Sequence, residues 1–211
     1  MDIRNIDIPL KGAREWYYSG DPELRKLALQ VYKEEELKCR FKNIIRFQDA
    51  VRALNLNWND TVRQVKDLSK IDCTANAMFR LGIIRRALNR EHDLHLTKTP
   101  EGSCIYYPNN PFITTNSAYY SSEITSGAME VIGRIKYDGI LYDVLGGGAL
   151  TGGSDGLGAF SSAAGVGGNN IGFLGCATKE IAQHFSKHFG MLITEARYGG
   201  LPDIDFYAKI L

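Results

Sequence analysis

Apolar positions change their spacing near residue 98. Before it they recur at helical intervals; beyond Pro100 they come in short runs broken by proline, glycine and polar clusters. The opening DIRNIDIPL places Ile3, Ile6 and Ile8 in imperfect alternation ending at Pro9, the pattern of a short edge strand or extended arm. GAREWYYSGDPELRKLALQVYKEEEL then predicts two short helices separated at Ser19-Gly20. The second opens with Asp21 as N-cap and Pro22 at the first helical position. Leu24, Leu27, Ala28 and Val31 give it a narrow apolar stripe, and Trp16, Tyr17 and Tyr18 load the first helix with aromatic surface. Two short helices bury little between themselves, so a partner or a second subunit is expected to cover this segment.

From Phe47 to about Asp93 the pattern remains helical in three pieces, FQDAVRALNL, WNDTVRQVKDLSK and CTANAMFRLGIIRRALNREHD. In the third, Ala77, Leu81, Ile84 and Leu88 form the apolar stripe, while Arg80, Arg85, Arg86 and Arg90 fall mostly on other faces and read as a solvated face, the alternative being an anion or partner contact, for which no aromatic interleaving is present. Past Pro100, SCIYYPNNPFITT is interrupted by two prolines and NSAYYSSEITSG is a polar loop. AMEVIGRIKYDGILYDVLGG is the clearest hairpin: an Asp138-Gly139 turn sets Tyr137 opposite Ile140 and Ile135 opposite Tyr142. IGFLGC reads as a short strand, and a helix from about Thr178 to Arg197 carries Ile181, Phe185, Leu192 and Ala196 as its buried stripe.

These elements predict an α+β protein. Residues 1–40 form an N-terminal arm and helical anchor, 41–98 a helical module, and 99–211 a strand-rich domain with a long glycine-rich loop and a C-terminal helix.

Composition narrows the partners. Lys plus Arg total 25 against 24 Asp plus Glu, so no global basic field favours a phosphate backbone and nucleic acid is not expected. No apolar segment reaches signal-peptide or membrane-helix length, so a chain made in the cytoplasm and not inserted in a membrane is expected. Cys39, Cys73, Cys104 and Cys176 contain no C-x-x-C pair and read as free, mostly buried thiols.

The glycine-rich stretch from Gly146 to Asn170 lacks a P-loop's Gly-Lys-Ser/Thr, and no lysine occurs between Gly146 and Cys176. Gly165-Val-Gly167 begins like a Rossmann turn, but Asn170 stands where the final glycine belongs and a hairpin precedes it in place of a βαβ unit. No Gly-x-Ser-x-Gly elbow makes Ser154 a nucleophile, and no basic neighbour lowers the Cys176 thiol. No cofactor is implied. His184 and His188, with Glu180 one turn earlier, have a spacing that can hold a divalent metal, against the alternative of a helix flank packed beside Phe185 and Phe189. His92 and His95 flank Asp93 at a helix end. What remains is a binding loop: Leu157, Phe160 and Val166 point inward, and Ser154, Asp155, Ser161, Ser162, Asn169 and Asn170 are the ligand-binding candidates.

The segment from Ala13 to Leu37, AREWYYSGDPELRKLALQVYKEEEL, resembles a group of proteins from gut Bacteroides and their phages, including crAss-like phages. The run from YYPNNPF to GFLGCATKEIAQHFSKHFGMLITEARYG looks like the other recurrent half of those proteins. More distantly, Gly-Gly, an aromatic-punctuated Ser/Gly loop and a closing GF are similar to the ligand face of C-type-lectin-like domains of the formylglycine-enzyme type. The helix after GFLGC departs from that fold, which finishes on a strand. The resemblance implies a phage or prophage structural protein located in the virion. It would be anchored to other virion proteins or to itself as an oligomer through the N-terminal segment, and would recognise a bacterial surface ligand through the loop. Two alternatives stay open: a small metal-dependent enzyme using His184, His188 and Glu180, and a cytoplasmic phage-derived protein that binds a host factor. Within the loop, Phe160→Ala is expected to lower stability in urea denaturation, while alanine at Ser161 or Ser162 shifts it by less than about 0.5 kcal/mol.

Overall fold

The computed structural model describes residues 8–19, 21–38, 40–92, 105–114, 124, 126–152 and 174–208. It divides the chain into two units, Met1–Asn43 and Ile44–Leu211.

In the first unit, α1 spans Leu10–Tyr17 and α2 spans Pro22–Val31. The Asp21 carboxylate accepts the N–H groups of Glu23 at 2.9 Å and Leu24 at 3.4 Å, so the anticipated cap forms. The helix ends at Val31. Tyr32 and Lys33 are extended, and a one-turn α3 restarts over Glu34–Leu37. Three glutamates suit the positive start of a new helix, and the Glu36 carboxylate accepts the Lys33 N–H at 2.9 Å. In an unbroken helix Leu37 would lie about half a turn away from Ala28. The break turns both inward, and both are fully buried with Ala13, Tyr17 and Ile8. The Tyr17 hydroxyl donates to Glu34 Oε1 at 2.8 Å, and the Tyr32 hydroxyl donates to the Ile8 carbonyl at 2.8 Å. This unit therefore has a small core of its own, with Trp16 and Tyr18 packed against it. Ile3 and Ile6 of the anticipated arm lie outside the described residues.

The second unit opens with α4 (Phe47–Ala53), α5 (Trp58–Ser69) and α6 (Cys73–Leu88). A two-stranded sheet pairs β1 (Ile105–Asn109) with β5 (Gly148–Gly152). A four-stranded antiparallel sheet has the order β2 (Phe112–Ile113), β4 (Ile140–Gly146), β3 (Glu130–Tyr137), β6 (Ile204–Ala208). A 20-residue helix, α7 (Lys179–Tyr198), lies against both sheets and against α6, while α4 and α5 also pack on α6. The hairpin has the expected register, Tyr137 to Ile140 and Ile135 to Tyr142. Asp138 and Gly139 take φ of +49° and +75°, the doubly left-handed turn that matches strand twist. Ala77, Leu81, Ile84 and Leu88 of α6, and Ile181, Phe185, Leu192 and Ala196 of α7, are buried as their spacing requires.

Four expectations change. The helical region and the strand region, anticipated as separate pieces at 41–98 and 99–211, sit in one unit because α6 and α7 bury their stripes on each other. Within the described part of IGFLGC the strand reduces to a bridge, in which Cys176 and Tyr106 exchange both backbone hydrogen bonds at 2.7 and 3.0 Å. The arginines of α6 are not a uniform solvated face: Arg85 is half-buried and donates to the Gly175 carbonyl at 3.2 Å. Of the described cysteines, Cys176 is buried but Cys73 is exposed. The terminal strand β6 has no counterpart in the sequence reading; it pairs with β3 from Tyr137–Ile204 to Gly133–Ala208.

The seat of α7 depends on small residues. Gly190 lies against the Asn110 side-chain amide, and a Cβ there would overlap it. At Gly82 of α6 an added Cβ meets nothing within 4 Å. Gly190→Ala is expected to destabilise the protein by about 1–3 kcal/mol and Gly82→Ala to stabilise it by about 0.5–1 kcal/mol, both measured by urea denaturation.

Candidate functional site

The six candidate ligand-binding residues, Ser154, Asp155, Ser161, Ser162, Asn169 and Asn170, lie outside the described residues, as do Leu157, Phe160 and Val166. His95, Asp93, Cys39 and Cys104 do too, and His92 is exposed. The geometry that can be built from residues upward centres on α7.

His184 and His188 stand one turn apart on α7 with ring centroids 4.4 Å apart and planes tilted by 46°. His184 Nε2 is 2.9 Å from the Ile44 carbonyl, and because a carbonyl only accepts, that nitrogen carries the proton. The ring is thereby committed to holding the entry to α4. Glu180 is exposed in the first turn, and among the described residues no three His, Cys, Asp or Glu side chains converge as a metal site. The i, i+4 spacing brings the two rings together, but among the described residues no third ligand joins the pair. Burial holds the His188 pKa below its ordinary value, helped by the neighbouring His184 and Lys187 and opposed by Glu130. Cys176 is pushed up to about 12 by burial, against smaller lowering effects from Asn89 and Arg85, so its thiol stays protonated.

His188 lines a half-open pocket of about 360 Å³ bordered by α4, α6, α7 and β6. Phe47, Phe189 and Phe206 contribute aromatic walls, and Met191 and Leu192 add aliphatic surface. Two opposite charges enter it, Arg80 from α6 and Glu195 from α7. The Arg80 guanidinium lies 5.4 Å from the Phe47 ring centroid. Both side chains are half-buried, yet they form no ion pair with each other, and among the described residues neither has a side-chain hydrogen-bond partner. Burial lowers the Arg80 pKa and raises that of Glu195, while each charge opposes the shift of the other. Arg80 is one of the arginines whose spacing reads as solvated with an anion or partner contact as the alternative, and Glu195 has no part in that reading. The signal was present in the spacing, since Arg80 follows Ala77 by one helical step of three residues and Glu195 follows Leu192 by the same step. A charge on the flank of an apolar stripe faces a neighbouring element, not open water.

A second pocket, of about 250 Å³, lies beside the first turns of α7. It is lined by Met129, Gly147 and His184, with the Lys187–Glu130 ion pair at 3.2 Å across its mouth. Both partners of that pair are about half exposed, so it contributes little to stability. No described helix is long and apolar enough to cross a membrane.

No protein-family model, curated protein or solved structure matches the chain.

His188 has a pH signature that follows from its lowered pKa. A folded pKa below the unfolded one gives stability that is present above about pH 6.5 and is lost as pH falls through the folded value. The His188 ring is expected to titrate below about 6.5 in NMR, and His184→Ala, which removes the adjacent like charge, should move its midpoint upward.

Proposed function

We propose that this chain is a non-enzymatic interaction protein of a phage or prophage particle, with residues 1–43 as its assembly module and the second unit as its binding body. The observation that carries this reading is the division at Asn43, with a small core enclosed within the first unit. Although Tyr17 and Leu37 are buried there, Leu29 and Val31 of α2 remain 42% and 38% exposed. A unit with its own core keeps its shape while it docks, and exposed aliphatic side chains on it supply contact area for a second copy or another virion protein.

Three reactive side chains of the second unit are held in ways that support binding over chemistry. Burial holds the Cys176 thiol protonated, the Thr74 hydroxyl donates to the N-cap residue Asp72 at 2.5 Å, and the His184 Nε2 hydrogen is spent on Ile44. In this proposal the glycine-rich segment carries recognition of a bacterial surface ligand through Ser154, Asp155, Ser161, Ser162, Asn169 and Asn170. Its support is the composition and the resemblance that first suggested it.

Sedimentation velocity tests the assembly role. The full chain is expected to associate in a concentration-dependent manner, and Leu29→Asp with Val31→Asp to leave a folded monomer with stability changed by about 0.5 kcal/mol or less per exposed site. Association unchanged by the double variant would remove the assembly role from α2. Mass spectrometry of purified particles tests the location.

A further inference from the structure

The pocket bounded by Arg80 and Glu195 is lined by residues of α4, α6, α7 and β6, all in the second unit. We propose that it is a binding site for a small zwitterion of the α-amino-acid type, with its carboxylate on Arg80, its ammonium on Glu195 and an apolar side chain against the aromatic wall.

The argument proceeds by what each class of ligand would leave unpaired. A purely apolar molecule would shut Arg80 and Glu195 away from water without giving either a hydrogen bond, which costs more than the burial of a small ligand returns. A simple anion would gain the guanidinium fork but meet the carboxylate of Glu195, and a simple cation would meet Arg80. Of these classes, a ligand with both signs close together is the one that gives each side chain a charged partner. The two project from different helices, α6 and α7, into one cavity without closing on each other, so the gap between them is available to such a ligand.

Size and lining agree with this. A volume of about 360 Å³ is at the small end of ligand pockets, suited to a single amino acid more than to a nucleotide. Phe189, Leu192 and Phe206 offer apolar surface on the α7 and β6 sides, while Phe47 lies beside Arg80 and supports its guanidinium. An arginine packed near an aromatic ring loses less freedom when it takes a planar carboxylate, which favours a bidentate contact over a single one.

The test is isothermal titration of the full chain at pH 7 with three probes of matched shape: L-phenylalanine, 3-phenylpropionate without the ammonium, and phenethylamine without the carboxylate. The expected result is one site for L-phenylalanine and at least about tenfold weaker binding of each analogue. Arg80→Met should weaken L-phenylalanine by a further tenfold or more and erase its advantage over phenethylamine. Glu195→Gln should erase its advantage over 3-phenylpropionate. Because the three-probe comparison uses the unaltered protein, it stands even if a variant fails to fold. Equal affinity for all three probes, or no saturable heat with any of them, would overturn the proposal. So would tight L-phenylalanine binding indifferent to both folded variants. Since neither residue lies in the first unit, these outcomes are independent of the sedimentation result.

Discussion

A buried knot of hydrogen bonds around Asn110 and Ser186 holds α7 onto the sheets, and the second unit is arranged around that contact. The Asn110 amide donates to the Leu145 carbonyl at 2.9 Å and to the Ser186 carbonyl at 3.0 Å. The Ser186 hydroxyl donates to the Asn109 carbonyl at 2.8 Å and accepts the Gly147 N–H at 3.0 Å. Three separate pieces of backbone are thereby joined: the step from β1 to β2, the corner between β4 and β5, and the middle of α7. Each bond is worth about 1 kcal/mol net, but losing a partner inside the core leaves a buried group unsatisfied at about 1–3 kcal/mol. The knot also sets how closely the helix can approach. Gly190 and Gly146 lie where a Cβ would overlap Asn110 and Ile132, so the side-chain amide fits only against bare backbone.

With one side of α7 committed to the sheets, its other side is covered by α6, and the helix is buried over most of its circumference. This explains why the residues from Ile44 onward resist division despite the change in apolar spacing near residue 98. It also accounts for the pocket. Toward the C-terminal half of α7 the surrounding elements include α4 and β6, and the space among them holds two half-buried charges, Arg80 and Glu195, that form no ion pair among the described residues.

The first unit solves a different problem. With few residues it cannot build a large core, so it breaks its second helix at Tyr32 and Lys33 to turn Leu37 inward and ties the pieces through Tyr17, Glu34 and Arg25. The Arg25–Glu34 and Lys38–Glu34 pairs are roughly half exposed, and they orient α3 more than they stabilise it.

Much of this was determined locally and could be read from the chain. Asp21-Pro22, Thr178 and the Asp138-Gly139 turn act through their own backbone neighbours, so two helix starts and the hairpin register follow from short stretches. The apolar stripes of α6 and α7 follow from spacing, because one face of a helix must be buried against something. What buries it is not encoded locally. The halt at Tyr32, the strand β6, the reduction of IGFLGC to a bridge at Cys176 and the knot at Asn110 all depend on partners distant in the chain. The site divides in the same way. The proximity of His184 and His188 is a property of one helix and was legible. The meeting of Arg80 with Glu195 belongs to two helices brought together by tertiary packing, and helical periodicity specifies the direction in which a charge points without specifying what it will face.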